Sequence, residues 1–283
     1  MTVHSIHRSQ ITLLALGTAV FAACSSEVPA RIVLVNGQEV EIATDGPDGE
    51  ALVVFEAGLG EDWTPWDEVA SEVAVHTRVF AYSRPGYGAS GPITTPRDPA
   101  RIVTELRILL RSQGYEPPYV PVGHSFGGTY MELFAKSHPD EVLGAVLVDP
   151  RHRDFLTSCV AANLAGCGIS EATLANQGQA VIEEYHTFPL ASEQIEEAGE
   201  FGSYPVRVLT ATKNEGSVQR QALWQAMGAE LAAEAADGEQ TLVQGAAHHI
   251  QLDRPDVVVS AILAMVPATT PQAAVRRDER STR

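Results

Sequence analysis

The chain has 283 residues, of which 45% are apolar and 19% are charged, and its formal net charge at pH 7 is −17. A chain of this size and composition can bury a full hydrophobic core, and one large domain is expected. The acidic balance, with no basic stripe in the body of the chain, argues against nucleic acid and anionic membrane surfaces as partners.

The N-terminal segment has the features of an export signal. Residues 1–10 carry Arg8 and no acid, and residues 11–23 are uncharged and mostly apolar. These 13 residues are too few for a helix that crosses a bilayer, which needs about 20 residues. We therefore predict a secretory signal peptide over residues 1–23.

Small residues come directly before Cys24, in the string VFAAC. The string resembles the lipobox of bacterial lipoproteins, although Phe21 stands where an aliphatic residue is usual. The resemblance implies export from a bacterial cytoplasm and a lipid anchor on Cys24, which would be the only membrane contact. An ordinary signal peptide and a secreted protein are the alternative.

After a tether at residues 24–30, the pattern of elements predicts an α/β fold. Asn36-Gly37 lies between two apolar-rich runs, which is typical of a hairpin. Further strands are predicted at 51–58, 77–83, 119–123, 142–150, 206–212 and 240–245, with helices at about 98–113, after 125 and at about 254–265. This alternation predicts a mostly parallel, eight-stranded sheet with helices on both faces.

Residues 151–204 interrupt the alternation, because they contain helix-like stretches and no strand-like run. We predict a helical cap, inserted after the sixth strand over the carboxyl edge of the sheet, where α/β folds bind ligands. The core would then comprise residues 31–150 and 205–266. Residues 267–283 lack apolar periodicity and are predicted to be disordered.

Two cysteines lie inside the predicted cap. Cys159 and Cys167 are eight residues apart. In an oxidising compartment a small-loop disulfide between them is expected, and two free buried thiols are the alternative.

The string GHSFG, residues 123–127, places Ser125 between a predicted strand and a predicted helix. It fits the pattern G-x-S-x-G, which is typical of a strained turn that presents a nucleophilic serine. Such a turn has no room for side chains two residues before and after the serine, and Gly123 and Gly127 meet that demand. The amide of Phe126 would face the same space as the Ser125 hydroxyl.

From about residue 31 to 266 the chain resembles the α/β-hydrolases. The resemblance rests on GHSFG together with EAGLG at 56–60 and RPGYGAS at 84–90, which are similar to a bacterial group of serine hydrolases. It implies a hole for the developing oxyanion, formed by the backbone amides of Leu59 and Phe126. Glu56 stands where many relatives carry histidine, so the hydrogen bonding of this loop must differ.

A serine hydroxyl needs a base to take its proton, and the resemblance places that base after the last strand. Two adjacent histidines stand there, His248 and His249. His248 is favoured, because it lies five residues before Asp253, as in the G-x-H-x-x-x-x-D/E-x-P pattern of the superfamily, with Ala247 in place of the usual glycine.

The acid that orients the histidine has two main candidates. Its usual position follows the seventh strand, where Asn214 stands and Glu215 is next to it. Its other known position is the end of the sixth strand, where Asp149 closes an apolar run. We favour Asp149, with Glu215 as the alternative and Asp154 as a further candidate.

Together these residues predict a serine hydrolase that cleaves an ester or related acyl bond of a small molecule through an acyl-enzyme on Ser125. An aminopeptidase or amidase reaction is the alternative within the same fold, and cap acids such as Glu183 and Glu184 would then hold an ammonium group. A non-catalytic binding lipoprotein is the rival hypothesis, favoured by the missing aspartate at 214. Substrate identity and oligomeric state stay open.

No metal or organic cofactor is expected. The strings GLG and GYG lack the third glycine and the helix of a dinucleotide-binding loop. A metal site on the two adjacent histidines is disfavoured, because no third ligand stands near them in the sequence.

Overall fold

The structure is a computed structural model that describes residues 27–213 and 216–267. The predicted signal peptide, Cys24 with its predicted lipid, Glu215 and residues 268–283 lie outside the described residues. Within that part of the chain, no helix combines the length and the hydropathy that crossing a membrane requires.

An eight-stranded sheet forms the centre of the molecule, with the strand order β1-β2-β4-β3-β5-β6-β7-β8. The strands are β1 (Ala30–Val35), β2 (Gln38–Asp45), β3 (Leu52–Glu56), β4 (Arg78–Ser83), β5 (Tyr119–His124), β6 (Ala145–Val148), β7 (Pro205–Ala211) and β8 (Asp237–Val243). β1 and β2 form the predicted hairpin, and β2 pairs antiparallel with β4, while every later pairing is parallel. β3, β5 and β6 are buried along their whole length, as expected for central strands covered on both faces.

Helices cover both faces of this sheet. They are α1 (Asp67–Ala74), α2 (Pro99–Ser112), α3 (Phe126–Ser137), α4 (Phe155–Ala161), α5 (Glu171–Leu174), α6 (Gln179–Thr187), α7 (Leu190–Ala198), α8 (Val218–Ala233), α9 (Ile250–Asp253) and α10 (Pro255–Leu263). Apolar residues of α2, α3 and α8 join one buried cluster, and those of α1 and α10 join the cluster on the opposite face. The predicted fold class is confirmed.

Two helices of the core, α1 and α8, were not identified from the sequence. α8 buries only Met227, Gly228, Leu231 and Ala232 among its 16 residues. Its alanines and glutamines are good helix formers but leave little apolar periodicity to detect.

The four helices α4–α7 stand between β6 and β7, in the region where the sequence predicted a cap. α7 packs on α2 and α3, and α4 packs on α8. Cys159 and Cys167 form a disulfide with a Cα–Cα distance of 5.7 Å, which confirms that prediction.

A buried ion-pair network ties α6 to the sheet. Arg84, at the end of β4, lies 2.5 Å from Glu56 and 3.0 Å from Glu184, and all three side chains are almost completely buried. Arg97 also contacts Glu184, at 3.5 Å. Charges taken out of water in this way must be paired, so the network fixes α6 against the strands that carry the site.

Candidate active site

Ser125 occupies a sharp turn between β5 and α3. Its backbone has φ 55° and ψ −118°, a left-handed conformation that a residue with a side chain adopts only under strain. A Cβ added at Gly123 would lie 2.3 Å from the carbonyl oxygen of Gly127, and one added at Gly127 would lie 2.4 Å from the carbonyl oxygen of Glu56. The close approach of these backbones explains why both positions need glycine.

The structure brings the side chains of Ser125, His248 and Asp149 into one hydrogen-bonded series. Ser125 Oγ lies 3.0 Å from Nε2 of His248, and Nδ1 of His248 lies 2.6 Å from Oδ2 of Asp149. Asp149 is completely buried and Ser125 is 9% exposed. The residues come from the ends of β5 and β6 and from the loop after β8, which meet at the carboxyl edge of the sheet.

The other candidates for these roles lie elsewhere or outside the described residues. His249 contacts Glu61 through Nε2 at 2.6 Å. Asp154 accepts a hydrogen bond from Ser192 Oγ at 2.7 Å.

The carboxylate of Asp149 is held from two further sides. Its Oδ1 accepts hydrogen bonds from the amide of Ala211 at 2.8 Å and from Nε1 of Trp224 at 2.9 Å. The indole of Trp224 also packs edge-on against the ring of His248, at 5.7 Å between centroids. These contacts leave Oδ2 for His248 and set the orientation of the ring.

Trp224 was missed by the sequence analysis. It lies on α8, which itself was not detected, and its distance from Asp149 along the chain hides the contact. A lone tryptophan in a helix of mixed composition carries no signal of this role.

The loop after β3 carries the amide of Leu59, which the sequence predicted as the second oxyanion donor. Among the described residues, the amides of Leu59 and Phe126 donate to no protein acceptor. Arg84 donates to the carbonyl oxygens of Ala57 and Gly58, at 2.7 Å each. Because C=O and N–H point in opposite directions across a trans peptide, the bond to Gly58 turns the amide of Leu59 away from Arg84.

A second polar cluster supports the two loops of the site from behind. Glu61 lies 2.6 Å from Nε2 of His249 and 3.1 Å from Nδ1 of His124, and it accepts a hydrogen bond from the amide of Gly58 at 2.9 Å. Nε2 of His124 lies 3.0 Å from the carbonyl oxygen of His248. One carboxylate therefore connects the loop after β3, the end of β5 and the histidine loop.

The protonation of this cluster follows from burial and hydrogen bonding. Burial raises the pKa of Glu61, but hydrogen bonds from His124 and His249 outweigh it and hold the pKa well below its usual range. The hydrogen bond to Glu61 raises the pKa of His249. Burial lowers the pKa of His124.

Glu61, His124 and His249 also form a group that could hold a metal ion, since one ligand atom from each lies within 4.8 Å of the others. Only His249 of the two adjacent histidines belongs to this group, so the group differs from the His248–His249 site considered from the sequence. Its other two members, His124 and Glu61, come from β5 and from the loop after β3, which are distant from His249 along the chain. In the described structure the three side chains satisfy one another by hydrogen bonds.

A cavity of about 500 Å³ opens beside His248. It is lined by residues 166–169 and 247–249 and by Arg151, Phe155, Lys213, Arg220, Gln221 and Trp224. No acidic side chain is among the described residues that line it. The cap acids considered for an ammonium group are placed elsewhere: Glu184 is buried against Arg84, and Glu183 bonds Gln179 on the surface.

Three comparisons with known proteins agree with this architecture. Residues 51–158 match the family model of the alpha/beta hydrolase fold. The chain is 25% identical over 224 residues to the uncharacterized protein YqjL of Bacillus subtilis, covering 78% of this chain and 86% of YqjL. It is 34% identical over 112 residues to the lipase LipV of Mycobacterium tuberculosis, covering 40% of this chain and 42% of LipV.

Among solved structures, the enol-lactonase from Burkholderia xenovorans has a TM-score of 0.58 to this chain. The superposition covers 83% of this chain and 99% of the enol-lactonase, at 19% sequence identity. At this identity the likeness concerns the fold alone.

Proposed function

Because this chain has the α/β-hydrolase fold, we propose that it is a serine hydrolase that cleaves an ester or a related acyl bond of a small molecule. The observation that carries the proposal is the series of short contacts from Ser125 through His248 to Asp149, at 3.0 and 2.6 Å. The similarity to a protein named as a lipase supports the same class of reaction. A hydroxyl, an imidazole and a buried carboxylate in this order are the parts that acyl transfer needs.

In the first half of the proposed reaction, Ser125 Oγ attacks the acyl carbon while Nε2 of His248 takes its proton. The electron pair of the carbonyl moves to its oxygen, which the amides of Leu59 and Phe126 stabilise. One such donor contributes on the order of 3 kcal/mol to the transition state. The intermediate then collapses, and the leaving group takes the proton from His248 as the acyl-enzyme forms.

In the second half, a water molecule attacks the acyl carbon and gives its proton to His248. Collapse of the second intermediate releases the acid and returns the proton to Ser125. The role of Asp149 is to hold Nδ1–H of His248 and to stabilise the imidazolium that forms in each half. No cofactor is required for these steps.

A fluorophosphonate probe tests this proposal, because it forms a covalent bond only with an activated serine. The expected result is one adduct per chain by intact mass in the wild type, mapped to Ser125, and none in Ser125→Ala. Variants with His248→Gln should label much more slowly. Folded wild-type protein that forms no adduct would favour the non-catalytic binding protein instead.

We also propose that the chain is exported and carries a lipid on Cys24. The signal-like composition of residues 1–23 and a disulfide of the kind that persists in oxidising compartments support export. Labelling of producing cells with radioactive palmitate should mark the wild type and leave Cys24→Ala unlabelled. Equal labelling of both, or of neither, would count against lipidation at this residue.

A further inference from the structure

The cavity beside His248 has the opposite charge to the rest of the protein. Among the residues that the structure describes, those that line the cavity include the cations Arg151, Lys213 and Arg220 and no carboxylate. The whole chain, in contrast, has a net charge of −17. Positive charges in a concave, partly apolar site concentrate anions there.

Arg151 is the most unusual of these cations. Its guanidinium lies between aromatic rings, 5.4 Å from the centroid of Phe126, 5.3 Å from that of Phe155 and 5.7 Å from that of Phe188. Within the described residues its only hydrogen-bond acceptor is the carbonyl oxygen of Cys167, at 3.2 Å, and its buried Nε has no partner.

Several other buried or partly buried arginines among the described residues have carboxylate partners. Arg84 lies between Glu56 and Glu184, and Arg153 lies 2.6 Å from Glu234. Burying a guanidinium without such a partner is unfavourable, because the charge loses hydration that nothing replaces. Burial and the positive charge of Arg220 lower the pKa of Arg151, in line with an unpaired cation.

The position of Arg151 relative to the nucleophile is fixed by the main chain. Its amide donates to the carbonyl oxygen of Ser125 at 2.9 Å, and its carbonyl oxygen accepts from Thr129 Oγ1 on α3. These two bonds fix the backbone of Arg151, two residues after Asp149 in the chain, and its side chain lines the cavity. Arg220, on α8, lines the same cavity and donates a hydrogen bond to the carbonyl oxygen of Gly166 at 2.5 Å.

Resting on the proposed serine-hydrolase function, we propose that the substrate carries a carboxylate, which Arg151 and Arg220 bind in this cavity while its ester or acyl carbonyl meets Ser125. The planar fork of a guanidinium matches the two oxygens of a carboxylate. The aromatic rings around Arg151 limit its motion and exclude water, which strengthens the attraction. Arg151 and Arg220 are then the specificity-determining residues of the site.

Matched substrate pairs test the proposal. In one pair the carboxylate is on the acyl side, with mono-p-nitrophenyl adipate against neutral p-nitrophenyl hexanoate. In the other pair it is on the leaving group, with 4-acetoxybenzoate against its neutral methyl ester. We expect kcat/KM to favour the anionic member of at least one pair by tenfold or more, as a charge-assisted hydrogen bond allows.

Two variants test whether the arginines of the cavity cause the preference for the anionic ester. Arg151→Met retains the packing between the aromatic rings and removes the charge, and Arg220→Gln changes a more exposed position. Both should bring the preference close to one, chiefly through a raised KM for the anionic ester. Arg101→Gln, which removes one positive charge from the exposed face of α2, is the control and should retain the full preference.

A binding measurement separates this inference from the catalytic proposal. Titration of mono-ethyl adipate and of ethyl hexanoate into Ser125→Ala protein, followed by tryptophan fluorescence or calorimetry, needs no turnover. Tighter binding of the anion in this protein, lost on adding Arg151→Met, supports the inference even if no ester is hydrolysed. The inference is overturned if both anionic esters react no faster than their neutral partners and the anion binds no tighter, or if the preference survives in both arginine variants.

Discussion

Replacing Asp149 by asparagine should stop catalysis by reversing the tautomer of His248. In the wild type Oδ1 accepts from the amide of Ala211 and from Nε1 of Trp224, while Oδ2 faces Nδ1 of His248. In Asp149→Asn those two donors hold the amide oxygen at the Oδ1 position, so the NH₂ group must face Nδ1. The ring then accepts at Nδ1 and carries its proton on Nε2, where it cannot take a proton from Ser125.

The expected loss in kcat is about 10⁴-fold, or about 5.5 kcal/mol, the order found when this reversal is imposed on a serine–histidine–aspartate triad. The fold should persist, because asparagine retains the shape of the side chain and both hydrogen bonds at its oxygen. We expect the thermal midpoint of unfolding to change far less than the activity. The assay is release of p-nitrophenol under saturating ester, beside thermal unfolding of the same sample.

Two further variants show whether the loss of activity is specific to Asp149 among the candidate acids. Asp154→Asn removes an acid that contacts Ser192 and not His248, and should leave kcat near the wild-type value. Glu215→Gln tests the other position considered for the acid and should do the same. The reasoning is refuted if Asp149→Asn retains a tenth or more of the activity, or if Glu215→Gln loses as much as Asp149→Asn was expected to lose.

Three further outcomes are expected. Trp224→Phe removes one hydrogen bond to the buried triad carboxylate and should lower kcat about tenfold; an unchanged kcat would mean that the indole does not hold the acid. The double variant Cys159→Ser with Cys167→Ser should lower the free energy of unfolding by about 2–3 kcal/mol in denaturant titration, because a loop of this length is no longer closed in the unfolded chain; unaltered stability would contradict this. Hydrogen bonding lowers the pKa of Glu61 and raises that of His249. The stability that Glu61 contributes is therefore lost as pH falls below its unfolded pKa of about 4.3. The stability that His249 contributes is lost as pH rises above its unfolded pKa of about 6.5. The gap in thermal midpoint between wild type and His249→Gln should therefore be largest between about pH 5 and 6.5, and a gap constant from pH 4.5 to 8.5 would contradict the pairing.

The sequence by itself determined the features that depend mainly on residues close together in the chain. Asn36 and Gly37 both adopt positive φ in the hairpin, a conformation that these two residue types tolerate best. Gly123 is required by a backbone contact with Gly127 in the same turn, whereas Gly127 is required by the backbone of Glu56 on the neighbouring strand β3. The five-residue pattern was still enough to identify Ser125 as the candidate nucleophile. The central strands were visible because burial on both faces demands continuous apolar runs.

The tertiary structure decided which distant groups meet. The sequence left Asp149 and Glu215 as rivals for the acid, and the strand order β6-β7-β8 lets the loop after β8 bring His248 to Asp149 at the end of β6. Other tertiary contacts bring Trp224 to Asp149, and Glu61 and His124 to His249, from segments that are far apart along the chain. A contact of this kind depends on the order of strands in the sheet and on the helices laid over it, and neither leaves a local pattern.

The charge of the cavity is the clearest case of this division. The sequence shows an acidic chain in which any arginine has many carboxylates to choose from. Only the folded chain shows that Arg84 and Arg153 have carboxylate partners, while Arg151 lies among aromatic rings with no carboxylate partner among the residues that the structure describes. Pairing is a matter of distance and burial in three dimensions, whereas composition reports only how many charges there are to pair.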